Sequence, residues 1–381
     1  MEAYQIPWMD ADLESYRDQI RRFIQGEVLP NQAKWRAQQY VDRSVWLKAG
    51  ERGCLLADIP QEYGGAGGDF AHMAVFWEAL IEVGEMGLGS HVHSVAAHYI
   101  LHHGTEAQKQ YYLPQMAQGR MIAAIAATEP QAGSDLQGIR TRATRHGRSY
   151  LIHGSKTFIS NGYLADLLVL VVKTDPEAQG RGISLLLIET RDLAGFSRGP
   201  ILEMIGRRSH DCCELFFDQV EVPTTTLLGS AEGKGLSQLA QELPYERTLL
   251  GLCAVAAMER AVNLTLAHVQ QREVFGKPLF DMQNTRFKLA EAKTKTLVAR
   301  VFIDWCILQL LSGPLDADIA AMAKWYLTDL QCDVIDECLQ LFGGYGYMME
   351  YPIAQMYADA RVQKIYGGTN EIMKEIIAYA M

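Results

Sequence analysis

A loop that could bind an anion precedes the last amphipathic segment of the chain. Gly367, Gly368 and Thr369 come directly before a periodic apolar run that ends at Met381. A helix N-terminus presents free backbone N–H groups and a partial positive charge, and glycines let an anion approach those groups closely. The same residues also fit a simple turn followed by an N-cap. This segment alone leaves both interpretations open.

Two segments in the middle of the chain could hold a planar heterocycle or a phosphate. In 127–135 (ATEPQAGSD) an apolar strand stops at a proline, and the chain continues through Ala-Gly-Ser with exposed amides and hydroxyls. In 156–162 (KTFISNG) the ring of Phe158 could stack on a cofactor. A capped surface turn and a core aromatic explain the same residues without a ligand.

Two further segments place glycines or basic residues at the ends of long helices. In 272–278 (REVFGKP) the planar guanidinium of Arg272 could pair with a pyrophosphate, although a basic residue here also suits the helix dipole. In 342–347 (FGGYGY) there are more glycines than a C-cap needs. The surplus indicates a close approach of the backbone to a ligand or a partner subunit.

Glu246, in 242–250 (ELPYERTLL), has two possible roles. It could be a first-turn acid that follows a proline at the start of a helix, or it could be a base.

Histidines are concentrated in one stretch, but no H-E-x-x-H motif accompanies them, and packed or solvated histidines explain them. We therefore predict no metal site. These histidines are His91, His93, His98, His102 and His103.

Composition limits the class of protein. The 381 residues are 49% hydrophobic, which is enough for a large core and two or three domains. A net charge of −10 argues against general binding to nucleic acid or to an anionic membrane surface. The seven cysteines show no C-x-x-C spacing, and no secretory or membrane-spanning pattern is evident, so we expect reduced thiols and a cytoplasmic location.

The hydrophobic periodicity changes twice along the chain. A period of three to four residues predicts an N-terminal α-helical domain over 1–120, short β-rich runs predict a middle antiparallel β domain over 121–228, and the helical period returns over 229–381. The predicted fold class is α+β and multidomain, with a C-terminal domain resembling a four-helix bundle. A Rossmann unit needs alternating βαβ elements, and the sequence does not show them. The long helices predicted in the last third of the chain favour self-association.

These segments, in this order, resemble the acyl-CoA dehydrogenase family of flavoproteins. The resemblance runs nearly end to end, and the phrases ELPxER and GGTNEIMKE are most similar to the long-chain members. Its strongest parts are ATEPxAGSD at 127–135, KTFISNG at 156–162, RxxFGK at 272–277, FGGYG at 342–346 and YGGTNEI at 366–372.

The resemblance implies FAD between the middle sheet and the C-terminal bundle. The isoalloxazine ring would be held by residues of the two strand ends, namely Ile125, Ala127, Thr128, Gly133, Ser134, Phe158, Ile159 and Ser160. The FAD of a neighbouring subunit would be contacted by Arg272, Phe275, Gln283, Gln340, Gly343 and Gly344. Thr369 and Glu371 would complete the cofactor site, and a homotetramer, a dimer of dimers, is implied.

One departure from the family pattern concerns the catalytic base. Many members carry a glutamate where this chain has Gly367, and glycine cannot take a proton. In the branch similar to long-chain and isovaleryl-CoA dehydrogenases the base comes from a helix carrying E-R, so the resemblance assigns the base to Glu246. The substrate-binding residues that it implies are Ser134, Tyr245, Arg247, Tyr366, Gly367 and Gly368.

The implied reaction is α,β-dehydrogenation of a medium, long or branched acyl-CoA to the trans-2-enoyl-CoA, as in fatty acid β-oxidation. A carboxylate removes the α-proton while the β-hydrogen leaves as hydride to the flavin. Electron-transfer flavoprotein is the implied electron acceptor. A flavoprotein oxidase, an acyl-carrier-protein dehydrogenase and a noncatalytic flavin-binding assembly protein remain alternatives.

Overall fold

The computed structural model describes residues 4–89 and 91–381, and its first part is a layer of helices. The helix starts follow from local capping: Asp10 accepts a hydrogen bond from the N–H of Leu13 at 2.8 Å, and Asp69 caps the fourth helix in the same way. The helices are α1 (Ala11–Phe23), α2 (Gln32–Gln38), α3 (Arg43–Glu51), α4 (Phe70–Val83), α5 (His91–His103) and α6 (Glu106–Ala117).

The middle of the chain forms one seven-stranded sheet. The strands are β1 (Ala123–Ala126), β2 (Arg142–His146), β3 (Ser149–Ser160), β4 (Leu167–Lys173), β5 (Ile183–Glu189), β6 (Phe196–Arg198) and β7 (Cys212–Pro223). Most neighbours are antiparallel, but β1 runs parallel to β4 and β2 also meets β4 in parallel. The sheet is therefore mixed rather than purely antiparallel, because the β2–β3 hairpin separates β1 from β4 in sequence and lets β4 enter in the same direction.

The last third is the predicted helical bundle. Its elements are α7 (Gly235–Gln271), the short hairpin β8 (Glu273–Val274) and β9 (Lys277–Pro278), α8 (Gln283–Ser312), α9 (Ala317–Leu341), α10 (Pro352–Ala360) and α11 (Asn370–Ala380). Helices α7, α8 and α9 pack on one another, and α11 packs on α9. The predicted fold class, helical, β and helical in that order, is confirmed.

Pro244 lies inside α7 and not at its start. The helix begins at Gly235, so the interpretation of Glu246 as a first-turn acid is wrong. A proline lacks the N–H that would bond one turn back, yet the helix continues because its apolar side is buried. An 18-residue window of α7 is apolar enough to cross a membrane by composition, but 72% of that window is buried inside the protein, as in a core helix.

A buried ionic network joins the two helical domains. Arg300 on α8 makes ion pairs with Glu78 of α4 at 2.6 Å and with Glu259 of α7 at 2.9 Å. Asp304, one turn later on α8, accepts a hydrogen bond from the indole of Trp8 at 2.9 Å. These contacts fix α4 against α7 and α8, and so fix the position of the helix that carries Glu246.

Candidate active site

Glu246 faces the glycine pair that precedes α11. The backbone of Gly367 has φ +65° and that of Gly368 φ +90°, a left-handed region that side chains rarely adopt. A β-carbon added at residue 367 would lie 3.7 Å from Oε1 of Glu246 and 2.6 Å from Cδ1 of Leu250. The structure therefore brings the Glu246 carboxylate to the position where residue 367 has no side chain.

Burial controls the electrostatics of Glu246. Removal from water raises its pKa, while the nearby cations Arg247 and Lys324 lower it, and the net effect is a pKa above 4.5. The pKa of Tyr99 on α5 is raised, mainly by burial and secondly by the nearby carboxylate of Glu246. A carboxylate with a raised pKa at the edge of a buried site is the usual form of a general base.

Two cations hold the glycine loop in place. Nε of Arg247 donates to the carbonyl oxygen of Gly367 at 3.3 Å. Nζ of Lys324 donates to the carbonyl of Gly368 at 2.6 Å and to Oδ1 of Asn370 at 2.8 Å. Burial, followed by Arg247, lowers the pKa of Lys324 to about 8. The sequence analysis missed Lys324, although a lysine within the apolar run of α9 was a usable signal.

Two basic residues contact the ring of Tyr366. The ring stacks on His91 at 5.2 Å between centroids, and the guanidinium carbon of Arg207 lies 4.9 Å from the centroid of the Tyr366 ring. Within the described residues its buried hydroxyl has no hydrogen-bond partner. Because a buried hydroxyl normally has one, this oxygen is available to a ligand.

Tyr245 points toward the N-terminal domain. Its hydroxyl donates to Oδ2 of Asp58 at 2.7 Å, and its ring packs edge-on against Phe70 at 5.1 Å. The hydroxyl is therefore already used by the protein itself. The substrate contact assigned to Tyr245 stays a prediction that rests on its ring alone.

The two strand-end segments lie side by side. The carbonyl of Ala127 accepts from Nζ of Lys156 at 2.9 Å, and the carbonyl of Thr128 accepts from the N–H of Thr157 at 3.0 Å. These bonds place the end of β1 beside the end of β3. Ile125, Ile159 and Ser160 lie in the ladders of the same sheet, where they pair with Val169, Cys213 and Cys212 respectively.

A buried ion pair supports that junction. Nζ of Lys156 lies 2.8 Å from Oε1 of Glu129, and the N–H groups of Arg140 and Thr141 also donate to the Glu129 carboxylate. Burial alone would raise the pKa of Glu129, but Lys156 and these donors outweigh burial and hold it at about 2. An ionised carboxylate with this many donors fixes the loop that carries Gly133 and Ser134.

Phe158, Gly133 and Ser134 form an open surface beside the junction. The ring of Phe158 is 67% exposed and its backbone is left-handed at φ +57°. A β-carbon at Gly133 would meet no described atom within 4 Å, and Ser134 is exposed. A large ring held outward in a strained conformation suggests a surface that a planar ligand covers.

Arg272 lies at the far end of the helix that carries Glu246. The 26 positions between them (272 − 246) span roughly 39 Å at the α-helical rise. The guanidinium of Arg272 lies 5.9 Å from the ring of Tyr345, next to the glycine turn after α9. The exposed residues at this end are Arg272, Phe275, Gln283 and Gln340, and the β-carbon positions of Gly343 and Gly344 meet no described atom within 4 Å.

Thr369 caps α11, with its Oγ1 accepting from the N–H of Ile372 at 3.4 Å, and Glu371 is exposed in the first turn. The predicted residues thus form three groups. One lies around Glu246 and Gly367, one at the neighbouring ends of β1 and β3, and one at the opposite end of α7.

Sequence comparisons match the chain in three consecutive parts. The families described as "Acyl-CoA dehydrogenase, N-terminal domain", "middle domain" and "C-terminal domain" match residues 10–120, 124–220 and 233–381. A curated relative, the mitochondrial long-chain specific acyl-CoA dehydrogenase of Mus musculus, is 46% identical over 366 residues, covering 95% of this chain and 85% of the relative.

Solved structures agree with this assignment. The acyl-CoA dehydrogenase from Geobacillus kaustophilus superposes with a TM-score of 0.95 at 42% identity, covering 98% of this chain and 99% of that chain. A chain in a structure described as the electron transferring flavoprotein of Acidaminococcus fermentans gives a TM-score of 0.90 at 31% identity, covering 98% of each chain.

The fold and these relatives define an oxidoreductase that depends on FAD. The chain belongs to the acyl-CoA dehydrogenase family. Its residues fit that cofactor: the outward ring of Phe158 and the open backbone at Gly133 can receive a planar ring, and the exposed guanidinium of Arg272 can receive a diphosphate.

Proposed function

We propose that this protein oxidises an acyl-CoA thioester to the trans-2-enoyl-CoA with Glu246 as the catalytic base. The observation that carries the proposal is the 3.7 Å separation between Oε1 of Glu246 and the missing β-carbon of Gly367. A carboxylate supplied from α7 thereby occupies the neighbourhood that a carboxylate at residue 367 would occupy. Gly367 cannot act as a base, and Glu246 supplies the carboxylate in its place.

The reaction breaks two C–H bonds of the acyl chain. The carboxylate of Glu246 takes the α-proton, the electron pair left on the α-carbon forms the double bond, and the β-hydrogen leaves with its pair as hydride. FAD, when bound, supplies the hydride acceptor. The raised pKa of Glu246 supports its role, because a base with a pKa nearer neutrality has a greater driving force for taking the α-proton.

The thioester oxygen must be stabilised as the α-proton leaves. We infer that the backbone N–H of Gly367 donates to it, a contribution worth about 10²–10³ in rate for one well-placed donor. Arg247 and Lys324 bind the carbonyl oxygens of Gly367 and Gly368 and so orient this loop. Tyr366, whose hydroxyl is free for a ligand, would lie beside the thioester.

The two ends of α7 are proposed to serve different cofactor molecules. Glu246 and Arg272 lie roughly 39 Å apart along α7, and the family resemblance implies that Arg272 contacts a different FAD from the one that reacts beside Glu246. Arg272, Phe275 and Gln283 would then contact the FAD of a neighbouring subunit, together with Gln340 and the glycine turn. Phe158, Ser160 and Thr369 would hold the chain's own FAD.

Exposed apolar side chains on α8 and α9 support assembly into a dimer of dimers. Large hydrophobic side chains with 43–57% exposure would be covered by a second copy. These are Phe287, Val298, Val301 and Trp305 on α8 and Tyr326 on α9.

The relatives support a long-chain substrate and an external flavoprotein as electron acceptor. The mouse relative is named for long-chain acyl-CoA, and the chain from Acidaminococcus fermentans belongs to a structure named for an electron transferring flavoprotein. We propose an acyl-CoA of medium to long or branched chain as the substrate and electron-transfer flavoprotein as the acceptor.

Anaerobic mixing with a panel of acyl-CoA thioesters tests the proposal. The flavin absorbance should bleach with the preferred chain length, and Glu246→Gln should slow bleaching by at least about 10²-fold while FAD stays bound. Glu291→Gln, an exposed acid on α8, is the matched control and should bleach at the wild-type rate. Bleaching at full rate in Glu246→Gln would remove Glu246 from the mechanism.

A further inference from the structure

Three histidines at the end of α5 converge on one carboxylate of α7. Nδ1 of His102 lies 2.7 Å from Oε1 of Glu242, and Nε2 of His103 lies 3.5 Å from the same oxygen. Nδ1 of His98 lies 3.9 Å from Oε2 of Glu242. The ligand atoms of His98, His102 and Glu242 all lie within 4.8 Å of one another.

His98 is held with one ring nitrogen directed at Glu242. Its Nε2 lies 2.9 Å from Oδ2 of Asp58, and Asp58 in turn accepts from the hydroxyl of Tyr245 at 2.7 Å. A neutral imidazole that donates through Nε2 presents a lone pair at Nδ1. Metal-binding histidines commonly have a carboxylate on the other ring nitrogen, and Asp58 provides one here.

His103 supplies a second, independent observation. Its Nε2 is buried and, within the described part of the chain, has no partner with hydrogen-bond geometry. A buried polar atom without such a partner indicates an additional ligand, a water or an ion. It lies 3.5 Å from Oε1 of Glu242, the same oxygen that His102 contacts, and so is next to the group formed by His98, His102 and Glu242.

The spacing of these atoms suits a tetrahedral ion. Bonds of about 2.1 Å to nitrogen and oxygen give ligand–ligand edges of roughly 3.4 Å. The contacts of His102 with Oε1 of Glu242 at 2.7 Å and of His98 with Oε2 at 3.9 Å bracket that value. The side chain of His102 is 42% exposed, which gives an ion a route from solvent.

We propose that His98, His102 and Glu242, where the sequence alone predicted no metal site, bind a divalent transition metal ion of the zinc type. Imidazole and carboxylate ligands select such a metal over calcium or magnesium, which prefer oxygen ligands. Three protein ligands leave the fourth position of a tetrahedral ion to a water, for which the buried Nε2 of His103 is a hydrogen-bond partner. The site ties α5 of the N-terminal domain to α7 one helical turn before Glu246.

Equilibrium dialysis of the FAD-loaded, full-length protein against ZnCl₂, followed by elemental analysis, tests the site. The expected result is about one zinc ion per chain and a rise in Tm with zinc that calcium does not produce. His102→Gln should weaken zinc binding at least tenfold and abolish the Tm rise, since His102 is partly exposed and its replacement should leave the fold intact. Glu242→Gln should act in the same direction.

His153→Ala is the matched control, because His153 is half exposed, belongs to strand β3 and lies 3.6 Å from a carboxylate oxygen of Asp218. It should bind zinc as the wild type does. FAD content and far-UV circular dichroism confirm that each variant is folded. Zinc binding that is equal in wild type and His102→Gln, or calcium binding of the same strength, would overturn the proposal.

Discussion

Oε1 of Glu246 lies 3.7 Å from the position that a β-carbon of residue 367 would occupy, which is ordinary van der Waals contact. Residue 367 already has Cδ1 of Leu250 on one side, 2.6 Å from where a β-carbon would lie. The left-handed backbone of Gly367 adds a conformational reason for glycine at this position. Leu250 and the left-handed backbone therefore both favour glycine at position 367, next to the carboxylate of Glu246.

The first prediction concerns pH. Only ionised Glu246 can accept a proton, and burial raises its pKa above 4.5, so the rate of flavin reduction should fall as the pH decreases through this raised pKa. Lys324 lowers the pKa of Glu246, so Lys324→Met should shift the acidic limb of the profile to higher pH. Lys288→Met, which removes a surface cation, should leave the limb in place. Stopped-flow bleaching across pH measures both, and an unshifted limb in Lys324→Met would contradict the assignment.

A second prediction compares two left-handed glycines. Gly367→Ala should cost about 1–2 kcal/mol of stability for the backbone and about 1–3 kcal/mol more for the overlap with Leu250. Gly147→Ala, at φ +59° with no described atom within 4 Å, should cost the backbone part alone. Denaturant unfolding of the FAD-loaded protein measures the difference. Equal losses of unfolding free energy in the two variants would contradict this prediction, because they would show that the side chain of Leu250 moves aside without destabilising the protein.

A third prediction addresses cofactor retention. Arg272→Ala should weaken FAD binding by about 10–100-fold, because a charge-assisted bond to a phosphate is worth about 1.5–3 kcal/mol. Arg286→Ala, which removes another exposed arginine close in sequence, is the control and should retain FAD. The ratio of flavin to protein after dialysis is the readout. Full retention in Arg272→Ala would exclude a contact with the diphosphate.

The fourth prediction tests the buried pair in the β domain. Glu129→Gln leaves Lys156 buried without its partner and should destabilise the protein by about 3–5 kcal/mol. Glu337→Gln breaks the half-exposed pair with Lys288 and should cost no more than about 1 kcal/mol. The pKa of Glu129 is held at about 2, below 4.5, so its contribution is complete above pH 4.5 and is lost as the pH falls toward 2. Urea titrations across this range should show a smaller acid loss in Glu129→Gln than in the wild type.

The fold could be predicted from periodicity, but some boundaries could not. The change from a period near 3.6 to alternation and back again located the three parts, and the joint motifs indicated the family. Pro244 suggested a helix start, whereas α7 begins at Gly235 because burial of its apolar side outweighs one missing N–H. Parallel pairing of β1 with β4 depends on distant chain segments, so local sequence carries no signal for it.

The candidate site was predictable only where a residue type was unusual. Gly367 was noticed because many members of the family have a glutamate at that position. The missing glutamate then directed attention to Glu246 as the alternative base. The bond from Lys324 to Gly368 joins residues 44 apart, and His102 meets Glu242 across 140 positions. Contacts at such separations depend on helix packing, which a single sequence does not specify.

The length of α7 has a consequence for mixtures of variants. Under the proposed arrangement, Glu246 serves the chain's own reaction centre while Arg272 serves the neighbour's, so defects at the two positions affect different centres of one oligomer. Co-expressed Glu246→Gln and Arg272→Ala chains would then assemble some hybrids with an intact centre. Two inactive proteins would complement each other, at a level set by how subunits are distributed among the hybrids.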